Sequence, residues 1–296
     1  MSMLRDDGTS FDRRRRALLG GAAATLATVA LSGRAEANEG LRFALTPVFL
    51  TSDLELIDRL RFYLETATGR PVELVSRRTY QEITAMLTAG QVDAAWLCGY
   101  PFVQHRQELE LLAVPVWRGQ PLYQSYLITG VDDEARALDD LAGDIHAFSD
   151  PDSNSGYLVT AAALADRKIR PDAFFGQTIF TYGHSNVVRA VAAGLARSGS
   201  VDGYVYEVLK VANPTLIAST KVIESSQWFG FPPIAAPIGA ASSPRSAMLR
   251  DALMTMHEHP TGLEVLALLS LDRFSVGDVT LFDSISANFQ KVRSLG

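Results

Sequence analysis

The stretch Ile145-His146-Ala147-Phe148-Ser149-Asp150-Pro151-Asp152-Ser153-Asn154-Ser155-Gly156-Tyr157, followed by the apolar run Leu158 to Ala165, decides how the chain is organised. Residues 145–148 read as a short buried strand and 158–165 as a helix, so the polar segment between them is a strand-to-helix turn. The first N–H groups of a helix have no internal partner and carry the positive end of the macrodipole. A phosphate-like group binds at such an end without Lys or Arg. One Ser or Asn there would simply cap the helix, a role worth about 1 kcal/mol. Three consecutive polar side chains before Gly156 exceed that need, and on the pattern alone both cap and anion site stay open.

The same alternation extends on either side. Leu41 to Leu45 is a strand, Asp53 to Ala67 has helical spacing closed by Gly69, and Val72 to Val75 is the next strand. A helix over 79–88 ends at Gly90, and the strand Val92 to Leu97 runs into Cys98-Gly99-Tyr100-Pro101. This β-α-β-α-β order predicts an α/β fold with a parallel sheet covered on both faces. Ligands of such sheets gather beyond the carboxyl ends of the strands, where Cys98 sits. Further strands are expected at 111–116, 122–129, 178–182, 201–205 and 215–220, and a helix at 184–194. The helical stretch 243–289 is long enough to return to the first unit. Two α/β units in succession predict two lobes: lobe 1 from 38–129 plus 236–296, and lobe 2 from 130–235. Phe229-Gly230-Phe231-Pro232-Pro233 reads equally as a crossing between lobes or as a plain loop, since paired prolines exclude helix. The other crossing is expected near Thr129 to Asp132.

At the N-terminus, Arg13 to Arg16 precede the apolar run Ala17 to Leu31, and Ala35-Glu36-Ala37 offers a small-x-small cleavage site. This is the pattern of a twin-arginine export signal occupying 1–37, cleaved after Ala37. The run is shorter than the ~20 residues a spanning helix needs. The chain carries a net charge of −6, and its one run of arginines lies in that leader. No basic patch survives cleavage, which excludes nucleic acid as a partner. An acidic protein still holds an anion where the local donors are neutral dipoles. Cys98 is the only cysteine, so no intramolecular disulfide forms. It is either a small buried hydrophobe or a thiolate for a soft ligand.

Enzyme signatures are missing. Gly183-His184-Ser185-Asn186-Val187 lacks the final glycine of a nucleophile elbow, and His257-Glu258-His259 has the wrong spacing for a helical zinc site. No catalytic residue, metal site or cofactor is therefore expected. His184 opens a helix, either as a structural residue or as a ring N–H donor to an anion. Tyr80 and Tyr123, taken singly, read as packing.

Several segments together resemble the phosphonate-, phosphite- and phosphate-binding periplasmic proteins of ABC transporters. They are Thr79-Tyr80-Gln81-Glu82, Gly90-Gln91-Val92-Asp93-Ala94-Ala95-Trp96, Leu122-Tyr123-Gln124-Ser125, Asp150 to Tyr157, Phe174-Phe175 and Gly183-His184-Ser185-Asn186. The resemblance runs from Leu41 to about Phe289. It implies a type II two-lobed binding protein with two crossing strands, monomeric in the periplasm, that passes a small oxyanion to a membrane permease. It also implies that Ser153, Asn154 and Ser155 cradle the oxyanion, that Tyr80 and Tyr123 are pocket tyrosines, and that His184 faces the anion. Asn154 stands where a threonine is usual. The acidic residues that hold an aminophosphonate's amino group have no clear counterpart, because Val201 to Tyr206 and Phe229 to Pro233 offer aromatic and apolar groups. Phosphite or phosphate is the expectation over an aminoalkylphosphonate. One branch of the family instead comprises arsenite-binding sensors that use a single cleft cysteine and signal to a membrane histidine kinase, and Cys98 resembles that cysteine.

Overall fold

The structure is a computed structural model that describes residues 40–47 and 54–295. The export signal expected over 1–37 lies outside the described residues. The chain opens with β1 (Leu41–Leu45), α1 (Leu54–Thr68), β2 (Val72–Ser76), α2 (Tyr80–Thr88), β3 (Ala94–Trp96), α3 (Gly99–Gln104) and β4 (Leu109–Val116). It crosses through β5 (Leu122–Tyr123) into β6 (Ser125–Gly130), β7 (Ile145–Phe148), α4 (Val159–Ala165), α5 (Pro171–Phe174), β8 (Gln177–Phe180) and α6 (His184–Ala192). There follow β9 (Ser198–Asp202), α7 (Gly203–Ala212), α8 (Pro214–Ala218) and β10 (Thr220–Ser225). The return runs through β11 (Phe229–Gly230) to β12 (Ile234–Pro237), α9 (Pro244–Thr255), α10 (Pro260–Leu269), β13 (Arg273–Ser275) and α11 (Asp283–Arg293).

Two lobes result, each around its own sheet. The first has strand order β13-β4-β12-β3-β1-β2 and the second β10-β6-β9-β7-β8. Parallel pairing is confined to β1 with β2 and β3, and to β7 with β8 and β9, where crossover helices reverse the chain. The β-α-β-α-β segment forms the expected parallel pairing, β2-β1-β3, while strands delivered by the crossings run antiparallel, so both sheets are mixed.

The crossings are the pair β5 and β11, joined as their own two-stranded ribbon with Phe229 opposite Tyr123. Phe229-Gly230 is thus a crossing strand and not a loop. Its partner lies at 122–123 and not near 129–132, because the run 122–129 breaks at Gln124, whose carbonyl accepts the Gly203 N–H at 2.9 Å. Beyond that break Thr129 is already laddered between Ser198 and Lys221. The expected limits of lobe 1 (38–129 plus 236–296) and lobe 2 (130–235) shift accordingly: 125–130 joins the second sheet, and Ile234 pairs in the first. The C-terminal segment also exceeds lobe 1. Helix α11 packs on α3 and on α4, with Phe289 against Tyr100 (ring centroids 5.6 Å apart) and Lys291 2.8 Å from Asp166.

The strand expected at 201–205 is β9, which ends already at Asp202, and most of the one expected at 215–220 is a helix. At Gly203 the chain turns into α7 because the Asp202 carboxylate caps it, accepting the Val205 N–H at 3.2 Å. At 214–218 Pro214 starts α8 under an Asn213 cap. Inside the second lobe His146 is fully buried, with Nδ1 2.7 Å from Ser198 Oγ and Nε2 2.9 Å from Ser200 Oγ. Burial pushes its pKa down to about 3. Among the described residues no helix is long and apolar enough to cross a membrane.

Candidate functional site

The polar turn does two jobs at once. Ser153 Oγ caps the helix, accepting the Gly156 N–H at 3.0 Å. The first helical turn, Asn154–Leu158, is a π-turn in which Leu158 N–H reaches back to Ser153 O at 3.0 Å. Such widened turns recur at functional sites because they free groups a tight helix would consume. Here the Asn154 N–H points away from the helix and donates to Cys98 Sγ at 3.2 Å, and the Asn154 side-chain N–H donates to the Tyr123 hydroxyl at 2.9 Å. The turn is packed from beneath: a Cβ on Gly156 would lie 1.8 Å from Ser149 Oγ.

The first lobe contributes the start of α2. Thr79 and Glu82 form a capping box, with Glu82 N–H to Thr79 Oγ at 3.2 Å and Thr79 N–H to Glu82 Oε2 at 3.0 Å. This fixes Tyr80, whose N–H donates to Asp150 Oδ2 at 3.2 Å across the cleft. The Tyr80 hydroxyl lies 3.3 Å from His184 Nε2. His184 Nδ1 accepts the Asp202 N–H at 3.1 Å, so the single ring proton of the neutral imidazole sits on Nε2 and is directed at Tyr80. Burial holds that imidazole neutral, lowering its pKa to about 3. His184 is therefore a neutral donor.

Tyr80, Cys98, Tyr123, Ser153, Asn154, Ser155 and His184 are thus brought into one buried cluster between the lobes. Three polar atoms there lack a hydrogen-bond partner: Ser149 Oγ, Asn154 Oδ1 and Ser155 Oγ. A buried polar atom without a partner costs about 1–3 kcal/mol, so such atoms call for a bound water or a ligand. Cys98 lies two residues beyond β3, at the N-cap position of α3 but without a side-chain capping bond, and burial pushes its thiol up to about 12. Burial likewise raises the hydroxyls of Tyr80 and Tyr123 well above the usual tyrosine range. The cluster therefore offers thiol, hydroxyl, amide and imidazole groups in neutral form. A separate cavity of about 240 Å³ lined by Thr160, Phe229, Asn288 and Lys291 lies behind the crossing ribbon and includes none of these seven residues. Among the described residues no group of three or more His, Cys, Asp or Glu is placed to hold a metal ion.

Two carboxylates escaped the sequence reading. Asp150 is 2% exposed and accepts Tyr80 N–H and Asp152 N–H. Asp202 is 1% exposed, and burial lifts its pKa to about 7. The region Val201 to Tyr206, expected to offer only aromatic and apolar groups, thus carries a buried acid. The available signal was an Asp between a buried run and a Gly, the pattern of a helix cap at a strand's carboxyl end.

Comparison with known proteins places this geometry in a family. A relative in Mycolicibacterium smegmatis, the phosphate-import protein PhnD, is 30% identical over 174 residues, covering 54% of each chain. The chain thus spans about half the length of that curated relative. Among solved structures, a binding protein component of an ABC phosphonate transporter from Pseudomonas aeruginosa superposes with a TM-score of 0.80 at 22% identity, over 87% of this chain and 88% of the other. PhnD1 from Prochlorococcus marinus, solved with methylphosphonate, gives a TM-score of 0.76 at 15% identity, over 86% and 98%. Both show the two-lobed type II fold. The profile of the ABC transporter, phosphonate, periplasmic substrate-binding protein family matches residues 43–281, and the chain belongs to that family.

Proposed function

We propose that the protein captures a small phosphorus oxyanion, phosphite, phosphate or a phosphonate, in the periplasm and delivers it as a monomer to an ABC transporter permease. On this reading the leader 1–37 exports it, and lobe 1 and lobe 2 close on the ligand about β5 and β11. The observation that carries the ligand class is the pair of buried hydroxyls without a hydrogen-bond partner, Ser149 Oγ and Ser155 Oγ, on the turn that starts a helix. Hydroxyl and amide groups at a helix start replace the hydration shell of an oxyanion without a counter-charge. Tyr80, Tyr123 and His184 surround the same point from the other elements. Calorimetry on the purified protein with phosphite, phosphate and methylphosphonate tests this. Binding of at least one is expected, with a rise in melting temperature worth ~2.7 kcal/mol at 100 times Kd; silence with all three would sink the ligand class.

A second reading, an arsenite sensor that signals to a membrane histidine kinase, draws support from Cys98, whose Sγ lies inside the same cluster at 3.2 Å from Asn154 N. Neutral arsenous acid would exchange a hydroxyl for the thiol sulfur and release water. Arsenite binding that disappears in Cys98→Ser, with oxyanion affinity nearly unchanged, would favour the sensor.

A further inference from the structure

The cavity of about 240 Å³ behind the crossing ribbon is walled by residues of β6, α4, β11 and α11. Its apolar lining includes Leu127, Val159, Ala162 and Phe229. Three buried polar side chains also line it: Ser125, Thr160 and Asn288. The first two are already partnered. Ser125 Oγ donates to the Ser155 carbonyl at 2.6 Å, and Thr160 Oγ1 lies 2.6 Å from Ser200 Oγ. Asn288, on the buried face of α11 and 8% exposed, makes no side-chain hydrogen bond among the described residues. A carboxamide carries an acceptor oxygen and two N–H donors, so a buried one without a partner lacks both kinds of bond. At the exposed rim Lys291 Nζ is held by Asp166 at 2.8 Å, and Glu224 accepts the Leu138 N–H at 3.3 Å. Two carboxylates thus face one ammonium there.

The apolar lining and the net negative rim disfavour an anion, so the cavity does not duplicate the cleft. Its volume falls below the roughly 300–1,000 Å³ of pockets for drug-sized ligands, so an occupant is small. What matches it is an uncharged molecule with an apolar body and one edge that both donates and accepts a hydrogen bond. We infer that the cavity is a second binding site, for a small neutral amide held by paired N–H···O bonds to Asn288 and by contact with Phe229. Its walls are shared with the oxyanion turn. Ser125 holds the Ser155 carbonyl, Val159 donates its N–H to the Asn154 carbonyl, and Phe229 pairs with Tyr123, whose hydroxyl accepts from Asn154. With the cavity in this shape, Tyr80 to Asp150 and Asn154 to Cys98 contacts span the cleft. An occupant that fits this shape therefore favours the closed lobes and raises the affinity of the cleft. That last consequence rests on the oxyanion reading above.

Benzamide is the probe, and benzoate, of the same shape but charged, is its control. NMR titration of the isotope-labelled protein is expected to show saturable benzamide binding in the millimolar range or tighter. The Asn288 side-chain amide should be among the shifted signals, and benzoate should not compete. Asn288→Leu keeps the size of the side chain and removes both hydrogen bonds. Benzamide affinity should fall about tenfold or more in that variant, with phosphate, phosphite and methylphosphonate binding alone as they do to the wild type. Benzamide should tighten the binding of these phosphorus ligands to the wild type roughly fivefold or more, and they should tighten benzamide by the same factor. Absence of saturable benzamide binding, benzoate bound as tightly, or unchanged benzamide affinity in a folded Asn288→Leu chain overturns the site. Benzamide binding that leaves phosphorus-ligand affinity unmoved overturns the coupling. Benzamide bound by a protein that takes no phosphorus ligand sustains the site and sinks the oxyanion reading. Benzamide against benzoate on the wild type decides even where the variant does not fold.

Discussion

Asn154 satisfies two neighbours and keeps one acceptor free, with one short side chain and one amide. Its N–H reaches Cys98, its side-chain N–H reaches Tyr123, and its Oδ1 is left to the cleft. Asn154→Ala should weaken oxyanion binding roughly tenfold or more, on the scale of one or two buried hydrogen bonds, and calorimetry on the variant measures it. A second residue-level expectation concerns His146. Its folded pKa of about 3 lies below the unfolded value, so the unfolded chain binds the extra proton. The stability it contributes is complete above pH ~6.5 and is lost as pH falls toward ~3, by at most about 1.4 kcal/mol per pH unit. Asp202, whose pKa is raised, works in the opposite direction, losing stability as pH climbs from ~4 toward 7. Melting curves from pH 7 to 4 should therefore fall less steeply for His146→Gln than for the wild type. The seven residues could be named from sequence only through the family resemblance, since Tyr80 and Tyr123 taken singly read as packing and the 153–155 turn reads equally as a cap. The partners that make them a site could not, since Asp150 and Asp202 reach them only through the tertiary fold.

At the scale of elements, periodicity located α1, α2, β1 and β2 to within a residue or two, and the structure adds a Thr79/Glu82 capping box at the start of α2. It failed at Gly203 to Val205, where aromatic and β-branched residues resemble a strand and only the Asp202 cap commits the chain to α7. The π-turn had no sequence signal at all. It depends on the packing of Gly156 over Ser149, which no local pattern reports. Gly156→Ala would drive a methyl into Ser149 and cost about 1–3 kcal/mol. A chemical-denaturation midpoint lowered without a change in slope would check it. Because the same turn aims Asn154 and Ser155 into the cleft, ligand affinity should drop in the same variant.

Over the whole molecule, the two lobes were legible from the repeated α/β alternation, and of the two crossings Phe229 to Pro233 reads equally as a loop while the sequence places the other too late. Gln124 breaks a run that looks continuous in sequence, and only its tie to Gly203 shows where one lobe ends. Contacts that span the two lobes include the Tyr204 hydroxyl to the Leu269 carbonyl, Arg118 to Glu207, Arg78 over the Tyr182 ring, Tyr80 to Asp150, Tyr80 to His184, and Asn154 to Cys98. Helix α11 bridges the helices α3 and α4 that begin at the same cluster. The last of those cleft contacts gives the molecule a built-in clock. Cys98 is the chain's sole thiol and is 2% exposed between the lobes, so an alkylating reagent can reach it only while they stand apart. Its labelling rate, followed by mass spectrometry, should report how often the cleft opens and slow as phosphite or phosphate is added.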